Sequence, residues 1–191
     1  MLSGKTIIVS GAASGIGKAC ALKLVADGNR VVAVDLDGER LTMALGEETE
    51  NLKFAPGDVS HTSTAETASK MAVDVFGSLD CLAHFAAAHS KLNWELADAM
   101  EFNRILSINV TGSFLMAKAF AKVMIEHKKK GAMVLTASGG VLMGGTGENG
   151  RGGPAYTTSK GGVLVLVRTL AKAWGKYGIR VNAISPGVVE T

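Results

Sequence analysis

The chain has 191 residues, of which 47% are hydrophobic and 19% charged, and its formal net charge is +3. This length and apolar content fit one domain with one substantial core and exclude a disordered chain. The one concentrated basic run, residues 127–130, has no aromatic residues between its charges. We therefore interpret it as a solvated helix end and expect no nucleic-acid binding.

The cysteines and the apolar segments exclude further classes of protein. Cys20 and Cys81 have neither CxxC spacing nor a histidine cluster nearby, so we expect buried, reduced thiols and no metal site. The N-terminus has no signal-peptide pattern, and no apolar run approaches the ~20 residues that cross a bilayer. The sequence therefore predicts a cytoplasmic protein that binds no membrane.

Short β-branched runs alternate with longer helical patterns along the whole chain. The runs are almost continuously apolar, which is typical of strands covered on both faces, and strands separated by helices imply parallel crossover connections. The sequence therefore predicts an α/β fold with a doubly wound parallel sheet. The predicted strands are TIIVS, RVVAVD, LKFAPGDV, DCLAHFA, AMVLTAS and IRVNAIS.

Three glycines, Gly11, Gly15 and Gly17, stand between the first predicted strand and the first predicted helix. A residue without Cβ lets backbone N–H groups and a helix N-terminus reach a pyrophosphate. A glycine trio alone also arises from ordinary packing, but its position after the first strand favours a dinucleotide site. Ser14 and Ile16 lie within this loop and belong to the same predicted site.

Asp35 ends the second predicted strand, 18 residues beyond Gly17. An acidic residue about 20 residues after such glycines accepts hydrogen bonds from the adenosine ribose of NAD, and it would repel the 2′-phosphate of NADP. Ser14 supplies no positive charge to offset that repulsion. An ordinary solvated aspartate would also fit this position, but the context favours a residue that selects NAD.

Tyr156 and Lys160 are four residues apart, after Pro154, which favours the first turn of a helix, so they share one helix face. A free tyrosine has a pKa of about 10, and proton transfer near neutrality requires a pKa roughly 2 to 3 units lower. A lysine charge one turn away contributes to that change. Such pairs also occur on solvated helices, but Ser138 ends a predicted strand, where α/β sheets place their ligands.

Six motifs, in chain order, closely resemble those of the short-chain dehydrogenase/reductase family in its compact single-domain form. They cover almost the whole chain and are SGAASGIG, GDVS, SINVTG, TAS, YTTSK and ISPGVVET. The resemblance implies a Rossmann-like fold with three layers. It also implies an NAD-dependent alcohol dehydrogenase or ketoreductase that requires no metal.

The resemblance implies roles for the matching residues. Tyr156 would act as general acid for reduction or general base for oxidation, and Lys160 would bind the nicotinamide ribose and assist Tyr156. Ser138 would hydrogen-bond the substrate oxygen, and Asn109 would hold a proton-relay water beside Lys160. The remaining implied cofactor contacts are Asp58 and Val59 at the adenine, the Ala86 backbone, and Pro186, Gly187, Val189 and Thr191 at the nicotinamide.

Three features depart from the family pattern. His84 and Phe85 replace an asparagine pair after the fourth strand, and we expect His84 to be a structural partner rather than a catalyst. His89 could face the substrate, but we expect a surface position. The family continues several dozen residues beyond the last motif, so we expect the C-terminal part of the fold to be missing here, with IRVNAIS as an uncovered edge strand.

The spacing of 18 residues between Ser138 and Tyr156 exceeds the usual family spacing. The cause is the segment Gly139–Gly153, in which eight of fifteen residues are glycine. A linker would have this composition, but the strand before it and the helix after it favour a mobile loop that borders the substrate. We expect an apolar wall from Val141, Leu142 and Met143, and solvated residues at Glu148, Asn149 and Arg151.

Three functional hypotheses follow. The first is an NAD-dependent oxidoreductase acting on a secondary alcohol or ketone. The second is an NAD-binding sensor or scaffold without turnover, and the third is a structural α/β domain whose glycines only pack. The resemblance also implies a homodimer or homotetramer, formed through helices near Glu101–Lys130 and Tyr156–Tyr177.

Overall fold

Six parallel strands form one sheet, in the order β3-β2-β1-β4-β5-β6. The computed structural model describes residues 2–148 and 152–189. The strands are β1 (Thr6–Ser10), β2 (Arg30–Val34), β3 (Leu52–Phe54), β4 (Cys81–His84), β5 (Gly131–Thr136) and β6 (Ile179–Ile184). The order reverses between β1 and β4, and ligands of open α/β sheets bind at such a switch point, beyond the carboxyl ends of the strands.

Within the described residues, seven α-helices connect and cover the strands. They are α1 (Gly15–Ala26), α2 (Gly38–Leu45), α3 (Thr62–Phe76), α4 (Ala99–Leu106), α5 (Gly112–Glu126), α6 (Gly140–Met143) and α7 (Pro154–Trp174). Local residues set several ends: Asp37 caps α2 by accepting from Glu39 N–H, and Asp98 caps α4 by accepting from Glu101 N–H. Pro154 occupies the first turn of α7, as the sequence predicts.

The sheet has a hydrophobic core on each face. Ile8, Leu82 and Leu135 face the larger core with α3, α5 and α7, whereas Ile7 and Val9 face the smaller core beside α1 and α2. All five residues of β1 are buried because both faces of the strand are covered. The predicted doubly wound α/β fold, with one domain in three layers, is confirmed.

Residues 99–126 form one continuous helical stretch, in which a wider π-helical turn, Ser107–Thr111, joins α4 to α5. By length and composition alone this stretch could cross a membrane, which the sequence analysis did not anticipate. Its apolar residues Met116, Phe120 and Met124 are at most 1% exposed within the larger core. This burial identifies the stretch as a core helix of the α/β fold.

Some boundaries differ from the prediction. Strand β3 ends at Phe54 rather than continuing to Val59, since Pro56 has no N–H group for the sheet. The two cysteines are free, but both are half-buried rather than fully buried, and burial raises the pKa of each thiol. The basic run at 127–130 is confirmed as an exposed segment at the end of α5.

Candidate active site

The glycine loop between β1 and α1 is closely packed backbone. Gly11 has a φ of +70°, and a Cβ there would lie 2.7 Å from the backbone nitrogen of Ala86. A Cβ on Gly17 would clash with the carbonyl oxygen of Gly11. Both positions therefore require glycine, because the first turn of α1 lies directly against the loop and β4 lies against its other side.

The N-terminus of α1 is open to an anion. Its N-cap residue Ser14 makes no capping hydrogen bond through its side chain, and the first turn contains no acidic residue, within the part of the chain that the structure describes. The first-turn N–H groups and the positive end of the helix dipole are therefore available to phosphate oxygens. This backbone cradle fits the pyrophosphate of a dinucleotide.

Two aspartates stand at the adenosine end of the cleft. The Asp35 carboxylate accepts hydrogen bonds from the N–H groups of Ala13 and Leu36, both at 2.9 Å, and Arg40 lies 3.9 Å from it. Asp58 accepts from Ser60 N–H at 2.8 Å. Burial raises the pKa of Asp58, but the hydrogen bonds from Ser60 and the nearby His61 lower the pKa by more than burial raises it. The pKa of Asp58 therefore lies below its usual value.

A cleft of about 470 Å³ runs along the carboxyl ends of β1, β2 and β4. It brings together nine of the predicted cofactor residues: Gly11, Ser14, Gly15, Ile16, Gly17, Asp35, Asp58, Val59 and Ala86. Arg40 and Arg104 also line it, and the sequence analysis had assigned neither residue a role. The only signal for Arg40 was its position five residues beyond Asp35.

The segment after β6 lies beside the end of β5. Gly139 N–H donates to the carbonyl oxygen of Pro186 at 2.9 Å, so the Ser138 turn and the Pro186–Gly187 turn are joined. Val189 is exposed. Thr191 lies outside the described residues, and the roles of these residues at the nicotinamide stay predictions.

Lys160 is buried at the centre of the predicted catalytic residues, with only 2% of its surface exposed. Its Nζ donates to the carbonyl oxygen of Thr136 at 2.8 Å and lies 5.7 Å from the centroid of the Tyr156 ring. Burial lowers the pKa of Lys160 to about 8. Ser138, two residues beyond Thr136, is half-buried and accepts from Gly140 N–H at 3.2 Å.

Asn109 lies in the π-helical turn and is 1% exposed. Its amide forms two hydrogen bonds with the backbone of Ala88, at 2.8 and 2.9 Å, and donates to Ser159 Oγ at 2.9 Å. Ser159 in turn donates to the carbonyl oxygen of Tyr156. Asn109 therefore joins the loop after β4 to α7, and its predicted water-holding role stays a prediction.

His84 forms a hydrogen bond between its Nδ1 and Ser10 Oγ, 2.7 Å apart, on the neighbouring strand β1. Ser10 Oγ also accepts from Ala86 N–H at 3.3 Å. The Nε2 atom has no partner in the part of the chain that the structure describes. Burial, with Lys160 as a second cause, lowers the pKa of His84 to about 3. His84 is therefore neutral and bridges two strands, as expected of a structural partner.

The described part of the glycine-rich segment packs against its neighbours. A Cβ on Gly147 would lie 2.5 Å from the carbonyl oxygen of Lys91, and one on Gly152 would clash with the Tyr156 ring. The segment begins with the short helix α6, which the sequence did not predict, and its Leu142 and Met143 are exposed. Asn149 and Arg151 lie outside the described residues.

Comparisons with known proteins agree with this geometry. The family described as short chain dehydrogenase matches residues 5–191. Short-chain dehydrogenase reductase 3c of Arabidopsis thaliana is 36% identical over 100% of this chain and 72% of its own length. Levodione reductase of Leifsonia aquatica is 33% identical over 98% of this chain and 70% of its own length.

A solved structure of a short chain dehydrogenase from Bacillus anthracis str. 'Ames Ancestor' superposes with a TM-score of 0.87. It is 29% identical and covers 97% of this chain and 75% of its own. The family match spans the glycine loop, the Asn109 turn and the Tyr156–Lys160 helix together. This chain therefore belongs to the short-chain dehydrogenase/reductase family of oxidoreductases.

Proposed function

We propose that this oxidoreductase uses NAD(H) and interconverts a secondary alcohol and a ketone, with Tyr156 as the general acid or base. The observation that carries the proposal is the position of Lys160 Nζ, 5.7 Å from the Tyr156 ring on the same helix face. The tyrosine thus has a buried cation beside it, near a cleft that fits a dinucleotide.

The residues of the cleft fit the adenosine and pyrophosphate parts of a nicotinamide dinucleotide. The glycine loop and the N-terminus of α1 would hold the pyrophosphate, and Asp35 would accept from the adenosine ribose. Asp58 and the Val59 backbone would contact the adenine. When bound, such a cofactor supplies or accepts the hydride, which carries two electrons.

The protein's own residues would handle the proton. In reduction the Tyr156 hydroxyl donates its proton to the substrate oxygen, and in oxidation the tyrosinate takes it back. The Lys160 ammonium stabilises the tyrosinate, and the Ser138 hydroxyl donates a hydrogen bond to the substrate oxygen as its charge changes. Hydride and proton together account for the two hydrogens that separate alcohol from ketone.

The preference for NAD rests on Asp35. Its carboxylate lies in the cleft and would repel a 2′-phosphate, although Arg40, 3.9 Å away, partly offsets this charge. We expect NAD to bind more tightly than NADP in titration calorimetry. Tighter binding of NADP would contradict the assignment.

The experiment follows nicotinamide absorbance with purified protein, NAD and a panel of secondary alcohols and hydroxysteroids. Tyr156→Phe should lower kcat/KM by roughly 10²- to 10⁴-fold, since it removes the proton-transfer group, and should leave the dissociation constant of NAD unchanged. Turnover equal to the wild type would contradict the role of Tyr156. NAD binding without turnover on any substrate would favour the sensor or scaffold hypothesis.

Cytoplasmic location, a small-molecule substrate and association of identical chains are further parts of the proposal. The predicted contact would involve the segments that contain α5 and α7. Light scattering that finds a stable monomer would contradict the homo-oligomer.

A further inference from the structure

The loop that carries His89 is held on both sides. The Asn109 amide forms two hydrogen bonds with the Ala88 backbone immediately before it. Ser90 immediately after it is buried, and its carbonyl oxygen accepts from Gly153 N–H at 2.8 Å. The backbone position of His89 is therefore set by contacts to the π-helical turn and to the start of α7.

The imidazole of His89 lies against the ring of Tyr156. Their ring centroids are 4.4 Å apart and their planes are tilted by 48°. The backbone of Gly152 also packs tightly on the Tyr156 ring, so a Cβ at that position would clash with it. His89 is nevertheless exposed, so its imidazole can be reached by a molecule bound at Tyr156.

The surroundings of His89 favour the neutral form of its ring. Burial lowers the pKa of His89, and the nearby positive charges of Lys91 and Lys160 lower it further. A neutral imidazole offers one N–H donor and one bare nitrogen acceptor. It can therefore pair with either a hydroxyl or a carbonyl oxygen.

We propose that His89 is a specificity-determining residue, which selects substrates carrying a second oxygen on the carbon next to the reacting carbon. The inference rests on the proposed function of Tyr156. A substrate whose reacting oxygen lies within about 2.6–3.2 Å of the Tyr156 hydroxyl would lie beside the ring on which the imidazole packs, and its neighbouring carbon would then come within reach of the imidazole. The imidazole would form a hydrogen bond with the second oxygen. A substrate that lacks this oxygen would leave the imidazole unpaired, and a site built to pair with a substrate oxygen discriminates against such a substrate.

The test compares 2-hydroxycyclohexanone with cyclohexanone as substrates for NADH-dependent reduction. The wild type should favour the hydroxyketone by about tenfold or more in kcat/KM. His89→Phe keeps a ring beside Tyr156 but removes both polar atoms, so the ratio of the two kcat/KM values should fall to about one. His89→Asn returns a donor and an acceptor and should restore part of the preference. His127→Phe, at an exposed histidine at the end of α5, serves as the matched control.

The outcomes separate this inference from the proposed function. An equal substrate ratio in the wild type and His89→Phe would overturn the role of His89. A wild type that binds NADH but reduces neither ketone would overturn the substrate class. The proposed function fails by a different result, namely no effect of Tyr156→Phe on turnover of any substrate in the wider panel.

Discussion

The two sides of the active site are built in different ways. The cofactor half, residues 6–60, relies on backbone groups at strand ends: Ala12 N–H donates to Val34 O, and Gly57 N–H donates to Asp35 O. The substrate side, residues 85–98 with the described part of 139–153, relies on contacts between loops and side chains. There the imidazole of His89 packs against the ring of Tyr156, 67 positions further along the sequence.

This difference explains why the residues of the substrate side can change more freely than those of the cofactor half. A backbone cradle for a pyrophosphate depends on glycine conformation and helix position, so few sequences satisfy it. Loops that meet through side chains can change residue by residue without disturbing the sheet. The substrate side includes exposed apolar residues, among them Trp94, Leu142 and Met143, which are 73–92% exposed. We therefore expect specificity to lie there.

Gly17→Ala should have the largest effect and would test the cofactor half. The added Cβ would meet the Gly11 carbonyl oxygen, which is backbone and has no rotamer to move, so the loop must open. We expect NAD affinity to fall by about 100-fold, because several backbone hydrogen bonds to phosphate are lost together. Titration calorimetry measures the change.

The matched control for that variant is Gly175→Ala. An added Cβ there meets no atom within 4 Å, and the residue has a φ of −55°, which alanine readily adopts. Its NAD affinity should equal that of the wild type. An unchanged NAD affinity in Gly17→Ala would show that cofactor binding does not depend on this loop.

His84, which joins strand β4 to β1, should make stability depend on pH. Its pKa in the folded protein is about 3, below the value of 6.5 expected in the unfolded chain. The unfolded state therefore binds the proton first as pH falls, and the stability present above pH 6.5 is progressively lost down to about pH 3. Between pH 8 and pH 5 the loss should be about 2 kcal/mol.

Urea denaturation of the wild type and His84→Asn at the two pH values checks this expectation. The free energy of unfolding of the variant should fall by about 2 kcal/mol less over the interval, because it has no imidazole to protonate. His127→Gln, which changes an exposed histidine, should keep the wild-type pH dependence. Identical pH dependence in wild type and His84→Asn would refute the buried neutral imidazole.

Gly152→Ala should have the smallest effect and would test the substrate side. Its Cβ would meet the Tyr156 ring, which can shift, so we expect kcat to fall by roughly 5- to 10-fold through misplacement of the tyrosine. The dissociation constant of NAD should not change, and Gly175→Ala again serves as control. Weaker NAD binding at unchanged kcat would assign this segment to the cofactor half instead.

The sequence predicted all six strands and nine of the residues that line the cleft, because glycine position and the alternation of strands with helices follow from local chemistry. Strand β3 was predicted too long, since an apolar run does not show where Pro56 interrupts the sheet. His84 was correctly expected to be structural. Its partner Ser10 was not predicted, because the hydrogen bond joins residues 74 positions apart. His89 is exposed, as expected, but its packing against the Tyr156 ring was not predicted, because the two residues are 67 positions apart.

By itself, the amino-acid sequence determined the family, the doubly wound fold and the positions of Tyr156 and Lys160 on one helix face. These features depend on spacing along a strand or helix, which has a fixed geometry. Only the tertiary structure decided that Asn109 joins Ala88 to Ser159, that His89 rests on Tyr156, and that the described part of the glycine-rich segment packs on its neighbours. Those contacts join loops and helices distant in the chain, and their geometry exists only once the sheet and its helices have assembled.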